Sequence, residues 1–228
     1  MAASVQECLA SSEKADSLLR VLPKVPDTQK VMLYGDISWD YRMHSREKAL
    51  EYANKSLQLA LEIDFKKGIA QAYNDLGILH YDVKEYSKAL DFYFNSLDIR
   101  NTLADKPGIA SLYNKIGIIA QEKGDLEEAI KYQLLCLAIY EELSNDYGIA
   151  QSLTNIAVIH RNEGNYKKAV EYLEKSIVVK EKMKDLNGLA GSFTNLANIF
   201  FDTQENEKAL KYYHQALSYM QNSNNNNN

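Results

Sequence analysis

The chain has 228 residues and a formal net charge of −5. This mild acidity argues against a nucleic-acid-binding protein, which would normally carry a basic stripe. Apolar residues make up 46% and charged residues 25%, as in an ordinary globular chain and unlike a disordered one. Three prolines and ten glycines are few interruptions for this length, and they favour helices over a many-stranded β fold.

The first residues predict a leading helix at about Ser11 to Leu22. Pro23 and Pro26 follow it and predict a turn, because proline has no backbone donor with which to continue a helix. We therefore assign residues 1–28 to an N-terminal capping helix and turn. Trp39 is expected to pack against this helix.

The segment Met1-Ala2-Ala3-Ser4 lacks the basic and apolar regions of a signal peptide. As it stands the sequence fits a cytoplasmic location, and a periplasmic one if a signal peptide has been removed; the compartment stays open. No run of 18 apolar residues occurs, so no membrane span is expected. Two cysteines, Cys8 and Cys136, are too few for a disulfide framework or a thiol-rich zinc site.

Residues 29–221 contain an internal repeat, which is the most informative feature of the sequence. Five sets of equivalent residues recur at steps of 40 positions. They are glycines (Gly68, Gly108, Gly148, Gly188), alanines (Ala49, Ala89, Ala129, Ala169, Ala209), small residues (Ser56, Ser96, Cys136, Ser176, Ala216), aromatics (Tyr52, Phe92, Tyr132, Tyr172, Tyr212) and aliphatics (Leu57, Leu97, Leu137, Ile177, Leu217).

Each repeat is predicted to form two helices. In one repeat the apolar spacing predicts a first helix at about Gly68 to Asp82 and a second at about Ser87 to Leu103. The turn between the two helices carries Gly124 and Gly164 in the following repeats, where a left-handed residue commonly closes a helix. Small residues in the second helix allow neighbouring helices to approach closely.

The repeated pattern Tyr73…Leu76-Gly77…Ala89…Tyr93…Ser96 resembles the tetratricopeptide repeat. The resemblance covers five units, at about 29–67, 68–107, 108–147, 148–187 and 188–221, the first of them degenerate. The unit is longer than the family's usual 34 residues, and Ala157 and Ala197 replace the glycine of the Leu-Gly pair. The long form is similar to kinesin light chains, Rap-type phosphatases, spindle-orientation adaptors and the sensor portions of some bacterial histidine kinases and nucleotide cyclases.

The resemblance implies an all-α fold, a right-handed solenoid of antiparallel helix pairs with a concave side lined by the first helices. Asparagine and threonine recur there although they are poor helix-interior residues, and the resemblance implies that such amides bind an extended peptide. The alternatives are a solvated face without a ligand and packing against a neighbouring helix. The predicted peptide-binding residues are Asn74, Asp75, Ile78, Tyr81, Asn114, Lys115, Ile118, Thr154, Asn155, Val158, Arg161, Thr194, Asn195, Asn198 and Phe201.

Lys115 and Arg161 are the only cations among these positions. Together they could hold a carboxylate, but Asp75, Asp82, Glu122 and Asp202 lie close in the pattern. Ordinary surface charge is the simpler interpretation.

The sequence offers little for catalysis or for metal binding. His44, His80, His160 and His214 are all the histidines, and none lies three or four residues from another as a helical zinc pair requires. His80 and His160 share one repeat position and are expected to be packed between helices. Phosphate-binding and nucleophile motifs are absent. We therefore expect a non-enzymatic chain without cofactor or metal.

The last helix, at about Glu207 to Gln221, carries Leu210, Tyr213, Leu217 and Met220 at helical spacing. A terminal repeat normally has a polar outer face. This face therefore indicates either that the native chain continues or that a homodimer buries it. The Asn-rich segment 222–228 is expected to be a disordered tail.

The sequence predicts a protein- or peptide-binding module with no nucleic-acid partner. The resemblance favours the sensory or regulatory region of a larger bacterial signalling protein. A free-standing adaptor or scaffold and an oligomerisation module remain as alternatives.

Overall fold

A computed structural model describes residues 13–225, which contain helices and no strands. A 3₁₀ turn at Leu22–Lys24 follows the first α-helix. The helices are α1 (Glu13–Val21), α2 (Asp27–Tyr41), α3 (Arg46–Glu62), α4 (Lys66–Tyr81), α5 (Tyr86–Thr102), α6 (Lys106–Lys123), α7 (Leu126–Glu142), α8 (Asp146–Asn162), α9 (Tyr166–Met183), α10 (Leu186–Asp202) and α11 (Asn206–Asn225). The all-α class predicted from the sequence is confirmed.

The predicted helices are found close to their expected bounds. The helix expected at Gly68 to Asp82 is α4, and the one expected at Ser87 to Leu103 is α5. A difference occurs near the C-terminal end of the chain. Helix α11 runs to Asn225, into the segment that was expected to be a disordered tail, while residues 226–228 lie outside the described part. At the other end the described part of α1 begins at Glu13, and Ser11, where the helix was expected to start, lies outside the described residues.

The chain divides into two compact units, Met1–Leu112 and Tyr113–Asn228. In unit 1 a central core cluster joins α1 to the next helices through Ala15, Ile37, Tyr41, Ala53 and Leu76. In unit 2 the largest core cluster joins α8 to α11; its buried members are Ala157, Ala169, Leu173, Ile177, Leu189, Phe193, Leu196, Ile199 and Ala216. Each unit therefore has a hydrophobic core of its own.

The small residues of the second helices are buried, as the repeat predicts. The repeated alanines Ala49, Ala89, Ala129 and Ala169 are fully buried. The serine hydroxyls make a recurring bond, because Ser56 Oγ donates to Val31 O at 2.8 Å and Ser96 Oγ donates to Ala70 O at 2.6 Å. A small polar side chain is therefore selected both for its size and for a carbonyl that it satisfies.

Every turn from the end of α3 onward closes through a left-handed residue, whereas the turn between α2 and α3 has none. Within the helix pairs this residue is Gly124 (φ 84°) or Gly164 (φ 74°), as expected, but in the other pairs it is Lys84 (φ 60°) or Gln204 (φ 62°). The turns between pairs also use left-handed residues, and none of these is glycine: Asp64, Ala104, Ser144 and Lys184. Backbone geometry is thus repeated more strictly than residue type.

No helix among residues 13–225 combines the length and the apolar character that a bilayer span requires.

Candidate functional site

The first helices of the repeats, α2, α4, α6, α8 and α10, carry the predicted peptide-binding residues. We call the set of side chains at these positions the first-helix face, and we describe it separately for each unit. Most of its members are half-buried, which is the exposure expected of a surface that can both pack and bind.

Two asparagines of unit 2 hydrogen-bond to each other across neighbouring first helices. Asn155 Nδ2 donates to Asn114 Oδ1 at 2.8 Å. Gln133, in second helix α7, donates from Nε2 to the same oxygen at 3.1 Å and to Asn114 O at 3.3 Å. The side-chain oxygen of Gln133, Oε1, accepts from Asn155 Nδ2 at 3.4 Å. We call Asn114 and Asn155 the amide pair.

Gln133 fixes which way the amide pair points. Two donors converge on Asn114 Oδ1, so Asn114 presents its Nδ2 donors away from that contact. Asn155 uses Nδ2 in the contact and keeps Oδ1 as an acceptor. Since a peptide bond has one donor and one acceptor, the amide pair is complementary to the edge of a peptide backbone.

Gln133 was not among the predicted site residues. It is 1% exposed and occupies the position that Tyr93 and Leu173 take in neighbouring repeats. The sequence does contain a signal, because a glutamine in a column of large apolar residues requires polar partners when it is buried.

Three other polar residues on the first-helix face of unit 2, Thr154, Thr194 and Asn198, form internal hydrogen bonds. Thr154 Oγ1 and Thr194 Oγ1 donate to Ala150 O and Ala190 O, both at 2.9 Å. Asn198 Oδ1 accepts from the Tyr213 hydroxyl at 2.6 Å. Among the described residues, Asn195 has no hydrogen bond from its side chain, so it is the other amide here that is open to a ligand.

Arg161 forms a close ion pair, with Nε 2.6 Å from Asp202 Oδ2. The hydrogen bond to Asp202 raises the pKa of Arg161. The hypothesis that Lys115 and Arg161 together hold a ligand carboxylate is therefore weakened, because Arg161 is already paired with Asp202. Apolar contact area on the same face comes from Ile118 and Val158, which are half-buried, and from Phe201, which is 62% exposed.

In unit 1 the polar residues of the first-helix face form a different network. Asp75 Oδ1 accepts from Asn74 Nδ2 at 3.0 Å and from Gln71 Nε2 at 2.8 Å. Arg100 continues it, donating to Gln71 Oε1 at 3.0 Å and pairing with Asp105. Asn74 is buried, so this amide is a structural partner of Asp75. Beside the network lie Ile78 and Tyr81, the latter with its ring 5.9 Å from that of Tyr86.

Trp39 is half exposed (54%) and lies beneath the Arg42 guanidinium, 4.5 Å from the ring centroid. It is absent from the core cluster that α1 joins, so the expectation that it packs against the leading helix is wrong. The reason is its register. Trp39 precedes Ile78 by 39 positions, as Tyr34 precedes Tyr73, and it therefore belongs to the first-helix face.

Trp39 lines a pocket of about 170 Å³ between α2, α3 and α4 of unit 1. We call it the indole pocket. Its lining is Val31, Met32, Gly35, Asp36, Trp39, Ser56, Gly68, Gln71 and Asp75. The peptide-binding residues predicted from the sequence begin in the second repeat and therefore do not include Met32, Asp36 and Trp39. Applying the same repeat positions to the first repeat would have found them.

His80 and His160 are packed between helices, as predicted, and the Cys136 thiol is buried as well. The rings of His80 and His160 stack on Phe92 and Tyr172, with centroids 5.2 and 5.5 Å apart. Burial raises the pKa of the Cys136 thiol, which leaves it protonated. In the described range no three His, Cys, Asp or Glu residues are grouped so that they could hold a metal ion.

Family models described as tetratricopeptide repeat match residues 108–182 and, separately, 69–105 and 189–224. Together these matches cover well over half of the chain. The chain belongs to the tetratricopeptide repeat family. The resemblance drawn from the Leu-Gly and small-residue pattern is thereby confirmed.

Solved structures share this fold at low sequence identity. BtubC (BKLC) from P. vanneervenii superimposes with a TM-score of 0.81 at 17% identity, over 98% of this chain and 93% of that chain. A Rap protein complexed with Competence and Sporulation Factor gives 0.68 at 19% identity, over 86% and 65%. A STAND protein with a tetratricopeptide repeat sensor, from Pyrococcus horikoshii, gives 0.76 at 20% identity, over 85% and 31%. No curated protein sequence matches the chain.

Proposed function

We propose that this tetratricopeptide repeat protein binds an extended peptide on the first-helix face of unit 2. The observation that supports the proposal is the amide pair, whose donor and acceptor are oriented by the buried Gln133. The solved complex of a Rap protein with Competence and Sporulation Factor supports it by analogy of fold.

The energetics favour a moderate affinity. A hydrogen bond contributes about 0.5–1.5 kcal/mol net. The two bonds that the amide pair can make to a peptide cost little side-chain entropy on binding, because Gln133 already holds both side chains in place. Ile118, Val158 and Phe201 add apolar contact to alternate side chains of the peptide. Asn195 offers a further backbone contact.

The test is to select binders from a random displayed peptide library and to measure their affinity for variants. Asn114→Ala and Asn155→Ala should each weaken a selected peptide by about tenfold. Glu174→Ala, on the exposed side of α9, is the matched control and should leave affinity unchanged. Selected peptides that bind both asparagine variants as tightly as the control would contradict the proposed site.

For the biological role, we propose the sensory or regulatory region of a larger bacterial signalling protein. The P. horikoshii STAND protein carries a tetratricopeptide repeat sensor, and this chain covers 31% of it. The test is to read the gene beyond both ends of the sequence and to assay any adjoining kinase, cyclase or transcription output with and without a selected peptide. An output insensitive to the peptide would favour the free-standing adaptor instead.

An exposed apolar row on α11 supports a second candidate function, oligomerisation. Leu210, Leu217 and Met220 of α11 are 59%, 50% and 46% exposed, and Tyr213 lies beside them. A homodimer through α11 would bury this row. Light scattering on Leu217→Lys and Met220→Lys should then show conversion to monomer, whereas a monomeric unmutated protein excludes this role.

A further inference from the structure

The indole pocket of unit 1 combines an opening, negative charge and an aromatic wall. Gly35 creates the opening, because it lies where Asn74 and Asn114 occur in the following repeats and has no side chain to fill the space. A Cβ built on Gly35 would meet Asp75 Oδ2 at 3.4 Å, so that carboxylate borders the opening directly.

The charged residues of the lining are all acidic. Asp36 and Asp75 line the pocket, and no Lys, Arg or His belongs to its lining. Two arginines touch lining residues but have carboxylate partners outside the pocket: Arg42 holds Asp82 through two contacts of 2.6 Å, and Arg100, which donates to Gln71 Oε1 at 3.0 Å, pairs with Asp105. Asp75 is fixed in place by the bonds from Asn74 and Gln71.

The remaining lining suits the stem of a long cationic side chain. Met32 is exposed and Val31 is buried, and both are apolar. The Trp39 ring already holds one guanidinium, that of Arg42, which shows that its environment is compatible with a cation. Methylene groups can thus lie against Met32 and Trp39 while the charged end reaches the Asp36 carboxylate.

We propose that the indole pocket binds the arginine or lysine side chain of a peptide partner, with arginine preferred. A planar guanidinium can stack on an aromatic ring and donate two parallel bonds to a carboxylate, which an ammonium cannot do. This site lies in unit 1 and uses none of the residues of the amide pair.

Trp39 provides a direct readout because it is the only tryptophan of the protein. The probe is the peptide acetyl-Gly-Gly-Arg-Gly-Gly-amide, titrated into the full chain while the tryptophan emission is recorded. The comparison peptide carries citrulline, which has nearly the shape of arginine without its charge. We expect a saturable change in emission with the arginine peptide and an affinity for the citrulline peptide that is about fivefold to tenfold lower.

Asp36→Asn removes one carboxylate, and we expect it to weaken the arginine peptide by about threefold to tenfold. Asp36 is exposed on α2, so the variant should fold, and far-ultraviolet circular dichroism checks this. Asp91→Asn, on the exposed side of α5, makes the same change in net charge away from the pocket and should have no effect.

The proposal is overturned if the emission does not respond up to the solubility limit of the peptide. It is also overturned if both peptides bind equally, or if Asp36→Asn binds as tightly as Asp91→Asn. Asn114→Ala separates this site from the proposed function. That variant should leave the Trp39 titration unchanged. If the arginine probe fails while selected peptides still depend on Asn114, only the indole-pocket proposal is overturned, and the proposed function of unit 2 is retained.

Discussion

The two units differ at one equivalent position of the second helix, which is Tyr93 in unit 1 and Gln133 in unit 2. In unit 1 the first helix α4 has Gly77, and a Cβ there would come closer to the Tyr93 ring than real Cβ atoms come to any neighbour. In unit 2 Gly117 of α6 faces Gln133 instead, with the amide nitrogen 3.0 Å from an added Cβ. Tyr93 and Gln133 are 1% exposed.

This difference shows how the core of a repeat determines the surface above it. Tyr93 fills its site with a ring, and burial raises the pKa of its hydroxyl well above the usual range. Gln133 fills the same site with a polar group whose hydrogen bonds must be satisfied, and the amide pair satisfies them. A buried substitution in a second helix thus decides whether the first-helix face presents oriented amides.

The largest expected effect is that of Gly77→Ala in unit 1. The added methyl overlaps the Tyr93 ring, and overpacking of this kind costs about 1–3 kcal/mol. Urea denaturation measures the loss in free energy of unfolding. Gly77→Ala combined with Tyr93→Leu reproduces the Ala157–Leu173 combination of unit 2 and should recover part of the loss.

Gly117→Ala is the matched change in unit 2 and should cost much less. An added Cβ on Gly117 would lie 3.0 Å from the Gln133 amide nitrogen and 3.3 Å from the Ala129 backbone oxygen, both longer than the closest contacts of Gly77 with the Tyr93 ring. Alanine also gains roughly 1 kcal/mol of helix propensity over glycine. Equal losses for the two glycine variants would show that the Tyr93–Gln133 difference does not control this contact.

Gln133→Leu should separate folding from binding in unit 2. Leucine is accommodated at the equivalent Leu173, which is 1% exposed, so the fold should persist, but the amide pair loses the group that orients it. We expect affinity for a selected peptide to fall by about fivefold to tenfold, since the cost of ordering the side chains is then borne on binding. Calorimetric titration checks this, and unchanged affinity would refute the orienting role.

Substitutions in the turns within the helix pairs should change stability by a smaller amount, with opposite signs in the two units. Lys84 in unit 1 and Gly124 in unit 2 are both left-handed, with φ of 60° and 84°, and this conformation costs a non-glycine residue about 1 kcal/mol. Lys84→Gly should therefore stabilise the protein and Gly124→Ala should destabilise it. Thermal denaturation measures both, and shifts of the same sign would contradict the prediction.

The smallest expected effect is a pH dependence that distinguishes Lys180 from Arg100, its equivalent in unit 1. Lys180 is buried and donates to Ser192 Oγ at 2.7 Å. Burial lowers its pKa from 10.5, against an opposing effect of Asp185. A folded pKa below the unfolded one means that the unfolded chain binds more protons, so stability rises with pH between the two values.

Lys180→Met removes this titration, and methionine occurs at the equivalent Met220. The free energy of unfolding of the unmutated protein should therefore rise relative to Lys180→Met between pH 7 and the usual lysine value of 10.5. Arg100→Met should show no such trend, because arginine stays protonated throughout this range. A parallel trend in both variants would assign the effect to other groups.

Much of the fold could be predicted because it depends on local residue patterns. The helices, the buried small residues and the left-handed Gly124 and Gly164 all follow from spacing within one repeat. The sites were harder. Trp39 was placed against α1 because the degenerate first repeat hides a register shifted by one residue, and Gln133 was overlooked because its partners, Asn114 and Asn155, are 19 and 22 positions away.

The sequence alone determined the family and the small residues that face the core, since those depend on periodicity and side-chain size. Only the tertiary structure decided which polar side chains are already used. Arg161 is held by Asp202 and Asn74 by Asp75, whereas the amide pair has a donor and an acceptor that its mutual contact does not use. The physical reason is that hydrogen bonds depend on distances of a few tenths of an ångström between residues far apart in sequence, and a repeat pattern carries no such information.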